Sequence, residues 1–180
     1  MSLVDTFQDL VAQVPDLVQP LIVAAAGAVP FIEGEGAAVI GIIGGIHPAI
    51  AAAAGIIGNF VCVTVLVLLT ARTRSAVVTR TRTRRLVAAG GGDAAEVSSP
   101  PVGDERGAAR KAKFQRAFER YGVPGVSLLG PLLLPTQFTA TMLAGAGVKT
   151  ARILLWQGLA IVAWTTLLTF VVGGAMYVVH

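Results

Sequence analysis

Pro30-Phe31-Ile32-Glu33-Gly34-Glu35-Gly36 sets two carboxylates and two glycines between apolar runs; Leu21 to Phe31 before it and Ala37 to Ile46 after it carry no charge. Flanks of this kind place Glu33 and Glu35 within or beside a membrane. A carboxylate at bilayer depth costs about 2.5–3.5 kcal/mol on insertion scales, so it is seldom kept there without a task. The composition agrees, with 54% hydrophobic and 13% charged residues, against roughly 25% charged in soluble domains. Of the 14 Lys and Arg residues, 12 lie between Arg72 and Arg120. That block reads as a topology signal, and no nucleic-acid partner is expected.

Working outward, Gly34 and Gly36 are expected to supply a turn and Pro30 to end the helix before it. Leu17 to Ile32 and Gly36 to Ile46 then form a helical hairpin broken at the Glu-Gly-Glu tip. Its second arm reaches about 16 Å at 1.5 Å per residue, roughly half of a 30 Å hydrocarbon core, so the hairpin is expected to be re-entrant. Before it, Leu3, Val4, Phe7, Leu10, Val11 and Val14 recur at helical spacing and Pro15 follows. This is an amphipathic helix, lying either on the membrane surface or against the body of the protein. After it, Ala51 to Ala71 is uncharged and long enough to span. Gly55 and Gly58 permit close helix contact there, and Asn59 can hydrogen-bond to a neighbouring helix or to substrate. Cys62 is the single cysteine, so it reads as a packing residue; neither a disulfide nor a thiol or metal cluster is expected.

The second half repeats the order. Six arginines among threonines from Arg72 to Arg85, then a Gly-, Ser- and Pro-rich stretch to Gly107, predict a basic, disordered linker over 72–107. Ala109 to Tyr121 gathers Phe114, Ala117, Phe118 and Tyr121 on one helical face. Arg110, Lys111, Lys113 and Arg116 lie on the other, suited to anionic lipid headgroups, and Gly122 follows as a cap. Val123 to Leu134 and Phe138 to Val148 flank Pro135-Thr136-Gln137, and Ile153 to Tyr177 can span. Laying Pro131 over Pro30 puts Thr136 on Glu35 and Gly145 on Gly44.

The expected fold is therefore an all-α membrane protein, an inverted repeat of amphipathic helix, re-entrant helical hairpin and transmembrane helix. The first repeat covers 1–71, the linker 72–107 and the second repeat 108–180. Residues 1–71 hold five acidic side chains and no Lys or Arg. The basic loop 72–120 is thus expected on the cytoplasmic side of the inner (plasma) membrane, with both termini outside. Lys149 and Arg152 join that side if the hairpins are re-entrant, and the opposite side if each broken segment crosses fully.

Pro-x-x-Glu at Pro30 to Glu33, Arg120-Tyr121-Gly122 before the second hairpin and Pro135-Thr136 at its tip resemble motifs of the small multidrug export protein family, relatives of the DedA or VTT-domain membrane proteins. The resemblance covers most of the chain except the linker. It implies two opposed re-entrant hairpins with polar tips and a transport role; for DedA relatives it implies movement of polyprenyl-phosphate or other lipids, often coupled to the proton gradient. Here Glu35 stands where members often carry Arg, and Val123 to Val148 holds no charge. The tips therefore suit a proton or cation better than an anionic headgroup.

The leading expectation is a small transporter in which Glu33 and Glu35 bind a proton or a cationic or amphiphilic substrate, faced by Thr136 and Gln137. Two carboxylates so close repel when both are ionised, so one is expected to hold an exchangeable proton. A lipid flippase or scramblase is the second reading. The third is a non-transporting scaffold assembled through the Gly41/Gly45 GxxxG pair. A homodimer is expected because one copy encloses little volume. An enzyme is not expected: His47 and His180 have no nucleophile or orienting acid near them in sequence, and neither a metal-ligand spacing nor a cofactor loop is present.

Overall fold

The computed structural model describes residues 3–88 and 121–179, all of whose regular structure is helical. In chain order these are α1 (Leu3–Gln13), α2 (Gln19–Gly27), α3 (Glu33–Ile43), α4 (Pro48–Ala88), α5 (121–129), a 3-10 turn (Gly130–Leu132), α6 (Thr136–Gly145) and α7 (Thr150–Val179). The expected basic helix with Arg110, Lys111, Lys113 and Arg116, and the linker beyond Ala88, lie outside the described residues.

Two stretches are long and apolar enough to cross a membrane: Pro48–Val77, with mean hydropathy 2.4, and Thr150–Met176, with mean hydropathy 1.9. At 1.5 Å per residue both exceed the roughly 30 Å of a hydrocarbon core. Only 33% and 17% of their apolar windows is covered by the rest of the fold, whereas the core helix of a soluble protein would be mostly covered. Helix α4 does not stop at Ala71 but continues through Ala88, so the linker expected from Arg72 begins later. Past Gly58 the helix meets neither Gly nor Pro, and extending a helix costs far less than nucleating one. Its hydroxyls turn back on the helix as well, Thr73 Oγ1 to Leu69 O at 3.1 Å and Ser75 Oγ to Arg72 O at 2.8 Å.

Contacts at glycines define how the helices run. A methyl group on Gly173 would lie 3.8 Å from the Pro48 ring, and one on Gly158 would lie 3.0 Å from Phe60, so α4 and α7 are antiparallel. Beyond the other end of the pair, Arg74 lies over Gly147, in the connection leading into α7. Arg72, Arg74, Lys149 and Arg152 thus gather at that end. Helices α2 and α3 occupy the Pro48 end. Val23 and Ala51 both meet Gly41 near it, Gly27 and Gly34 meet Gly55 deeper in, and α3 returns outward so that Gly44 meets Val11 of α1. Helix α1 is attached to the body through Val11 and Phe7, while Leu3, Val4 and Leu10 stay exposed.

Two apolar cores result, and α4 serves both. Val23, Ile40, Ile42 and Ile46 pack with Ala51 and Ala54 of α4. Val123, Val126, Leu143 and Ile153 pack with Val63 and Val67 further along it. Asn59 falls between.

The connections into α4 and α7 share one set of backbone hydrogen bonds. The N–H groups of Gly44, Gly45 and Ile46 donate to Ile40, Ile42 and Gly41; those of Ala146, Gly147 and Val148 donate to Met142, Ala144 and Leu143. Gly45 and Gly147 both have φ +88, and each begins the exit from a helix as the left-handed residue of a Schellman motif. The next helices start alike, with Ile50 and Ala51 donating to His47 O, and Arg152 and Ile153 to Lys149 O. In the breaks, Ile32 and Glu33 donate to Val29 O, as Leu133 and Leu134 do to Gly130 O. The hydrogen bonds at the breaks match with Pro30 against Pro131, whereas those at the exits match with Gly44 against Ala146 rather than Gly145.

Candidate functional site

The carboxylates do not sit in a loop between two arms. Glu33 is the first residue of α3, and Glu35 lies in its first turn. The chain reverses over 28–32, around Pro30, and the left-handed residues are Phe31 (φ 72) and Glu33 (φ 56), both unusual conformations for non-glycine residues. Gly34 and Gly36 do not make the turn; they permit close approach. A methyl group on Gly34 would lie 2.6 Å from Thr165 Oγ1 and 3.3 Å from Gly55 O, and one on Gly36 would lie 3.3 Å from Ile32 Cγ2. In the second half Pro131 sits within the 3-10 turn. Pro135 is the N-cap residue of α6, so Thr136 and Gln137 also open a helix.

The two helix beginnings meet. Glu33, 5% exposed, accepts the backbone N–H of Thr136 on Oε1 and the Thr136 hydroxyl on Oε2, the latter at 2.7 Å. The first N–H groups of a helix have no partner within it. Glu33 thus caps α6 from the other half of the chain, and its charge suits the positive end of that helix. Glu35 stands two residues on in the same first turn and lines the same cavity as Glu33. Beside them, Gln137 Nε2 donates to Asn59 Oδ1 at 3.1 Å. Of the five sequence-proposed binding residues, four therefore form two contacts, Glu33 with Thr136 and Asn59 with Gln137, and Glu35 lines the cavity beside Glu33.

The network extends to residues that sequence reasoning missed. Gln157 Nε2 donates to Thr139 Oγ1 at 3.1 Å, and Thr139 Oγ1 donates to Thr136 O at 2.9 Å. Ser127 and Thr165 are buried too. Gln157 was legible in principle, since it is the one amide in the apolar run from Ile153 to Tyr177. The threonines carried no such signal, because Thr is common in apolar helices.

Glu33 and Glu35 open onto a cavity of about 330 Å3, whose wall includes Phe31, Pro131, Leu133, Pro135 and Leu168 but neither Lys nor Arg among the described residues. Phe31 and Phe138 meet edge to face, with ring centroids 6.2 Å apart. Gly41 is packed inside the chain, where a methyl group would lie 2.8 Å from Ala51 Cβ, and Gly45 lies past the end of α3. The Gly41/Gly45 pair is therefore not an exposed helix-association face. Among the described residues no group of His, Cys, Asp and Glu is placed to hold a metal ion. No family model matches the chain, and no curated protein or solved structure is similar to it.

Proposed function

We propose that this chain is a small plasma-membrane transporter for a proton and an organic cation. Its halves are inverted repeats, and α2–α3 and α5–α6 are re-entrant hairpins meeting at Glu33 and Thr136. The observation that carries this reading is the Glu33 carboxylate, held by the Thr136 N–H and O–H between two apolar cores and beside an open cavity. Helix α3 leaves this point toward the Pro48 end and α6 toward the Arg74 end. Transporters built from inverted repeats place their sites where such interrupted helices meet. The duplicated turns at Gly45 and Gly147 support the repeat. The gathering of Arg72, Arg74, Lys149 and Arg152 at one end supports a cytoplasmic assignment for that end.

The chemistry of the site favours exchange of a proton. Ionised carboxylates only accept hydrogen bonds, so Glu33 and Glu35 can bond one another only when a proton lies between them. The Thr136 N–H must donate, which keeps one Glu33 oxygen as an acceptor in either state. The Thr136 hydroxyl can donate or accept, and so accommodates both. An organic cation fits the same cavity through its carboxylates and the face of Phe31. A phosphate-headed lipid would call for basic residues, and the cavity wall has none among the described residues.

The test is uptake of tetraphenylphosphonium by proteoliposomes under an imposed pH gradient. Glu33→Gln keeps an oxygen acceptor for the Thr136 N–H but cannot ionise. Gradient-driven uptake is expected to fall at least about tenfold with the fold retained. Uptake equal to wild type would remove the proposal.

A further inference from the structure

The buried face of α7 carries polar atoms in a row without partners. Gln157, Thr165 and Thr169 are spaced by eight and four residues, which places them on one side of the helix. Gln157 Oε1, Thr165 Oγ1 and Thr169 Oγ1 are each buried and accept or donate no hydrogen bond within the chain; Gln157 and Thr165 are 0% exposed. Buried polar groups are nearly always paired, and an unpaired one marks an ordered water or ion more often than a void.

The two threonines have a ready alternative that they do not use. A helical hydroxyl can bond the carbonyl three or four residues earlier. Thr64, Thr70 and Thr73 on α4 and Thr139 and Thr141 on α6 all do so. Thr165 instead turns its hydroxyl toward Gly34, next to Glu33, where a methyl group would lie 2.6 Å from it. At the other end of the row, Gln157 holds Thr139, which reaches the carbonyl of Thr136. From Gln157 to Thr169 the row covers about 18 Å along the helix, more than half of a hydrocarbon core, and passes Glu33 on the way.

We infer that the inner face of α7 binds a file of water molecules along Gln157, Thr165 and Thr169, giving Glu33 a hydrated route along that helix. This rests on the reading of Glu33 as the site of proton exchange, but the water itself can be measured without transport. Single cysteines at Gln157, Thr165 and Thr169, in a Cys62→Ser background, are treated in sealed vesicles with a small cationic methanethiosulfonate. The thiolate, which forms where water reaches the thiol, attacks the reagent's sulfenyl sulfur and forms a mixed disulfide as methanesulfinate leaves.

Labelling at the three positions is expected to be at least about tenfold faster than at Val162 and Leu167, which face outward on the same helix. Rates equal to those two controls would overturn the inference. Thr165→Val gives an independent check, since it keeps the shape and removes the hydroxyl. Removing a dry unpaired hydroxyl stabilises a protein, whereas removing a hydrated one does not. The melting temperature is therefore expected to stay level or fall, and a rise would count against the water file. Fast labelling alongside unchanged uptake in Glu33→Gln would keep the water file and remove only the transport reading.

Discussion

Gly58→Ala tests the packing on which the site depends. A methyl group there would lie 1.8 Å from Ala24 O, 2.6 Å from Ala24 C and 2.8 Å from Ala24 Cα. All three are backbone atoms of α2, so no rotamer change relieves the clash. Restoring ordinary contact requires α2 to move from α4 by roughly 1.5 Å, which also opens the contact of Gly27 with Gly55. Overpacking of this kind costs about 1–3 kcal/mol, and a backbone-to-backbone clash belongs at the upper end. Alanine returns about 1 kcal/mol through its better helix propensity, leaving a net loss of about 2 kcal/mol. For a chain of this length that is a fall of about 4–8 °C in melting temperature, read by thermal unfolding in detergent. Gly174→Ala on α7 is the control: a methyl there meets nothing within 4 Å, so it is expected to be neutral or stabilising by up to about 1 kcal/mol. Melting of Gly58→Ala at or above wild type, or an equal fall in Gly174→Ala, would refute the reasoning.

Glu33→Gln and Thr136→Val form a double-mutant cycle on stability. The two side chains share one hydrogen bond, at 2.7 Å, so the double variant is expected to lose less than the sum of the singles by about 1–2 kcal/mol, and simple additivity would contradict the contact. Gly147→Ala is expected to destabilise by about 1–2 kcal/mol through its left-handed backbone, since the Arg74 guanidinium 2.6 Å from the new methyl is the end of a flexible side chain and shifts at little cost. Gly145→Ala, in open space two residues earlier, is expected to change stability little; thermal unfolding compares them. A cysteine replacing Lys149 is expected to react with an impermeant thiol reagent only from the side that labels Arg74→Cys, and labelling from the opposite side would eliminate the re-entrant arrangement.

The sequence by itself determined the helical, apolar character of the chain, because uncharged runs of this length admit few other structures. It also determined the two helices long enough to span and the residues worth watching between them. Glu33 and Thr136 were legible because charge and proline stand out against an apolar background. The breaks at Pro30 and Pro131 were legible because proline interrupts a helix wherever it falls inside one. What only the tertiary structure decided were the relations set by contacts across more than a hundred residues. Glu33 begins a helix and caps another one, a role that no local pattern encodes. Gly34 serves the approach of Thr165 rather than the turn, since the reason for a glycine lies in what packs against it. The row at Gln157, Thr165 and Thr169 became visible only when neighbouring helices were in place, because whether a hydroxyl in a helix is paired or unpaired depends on which carbonyl, side chain or cavity it faces.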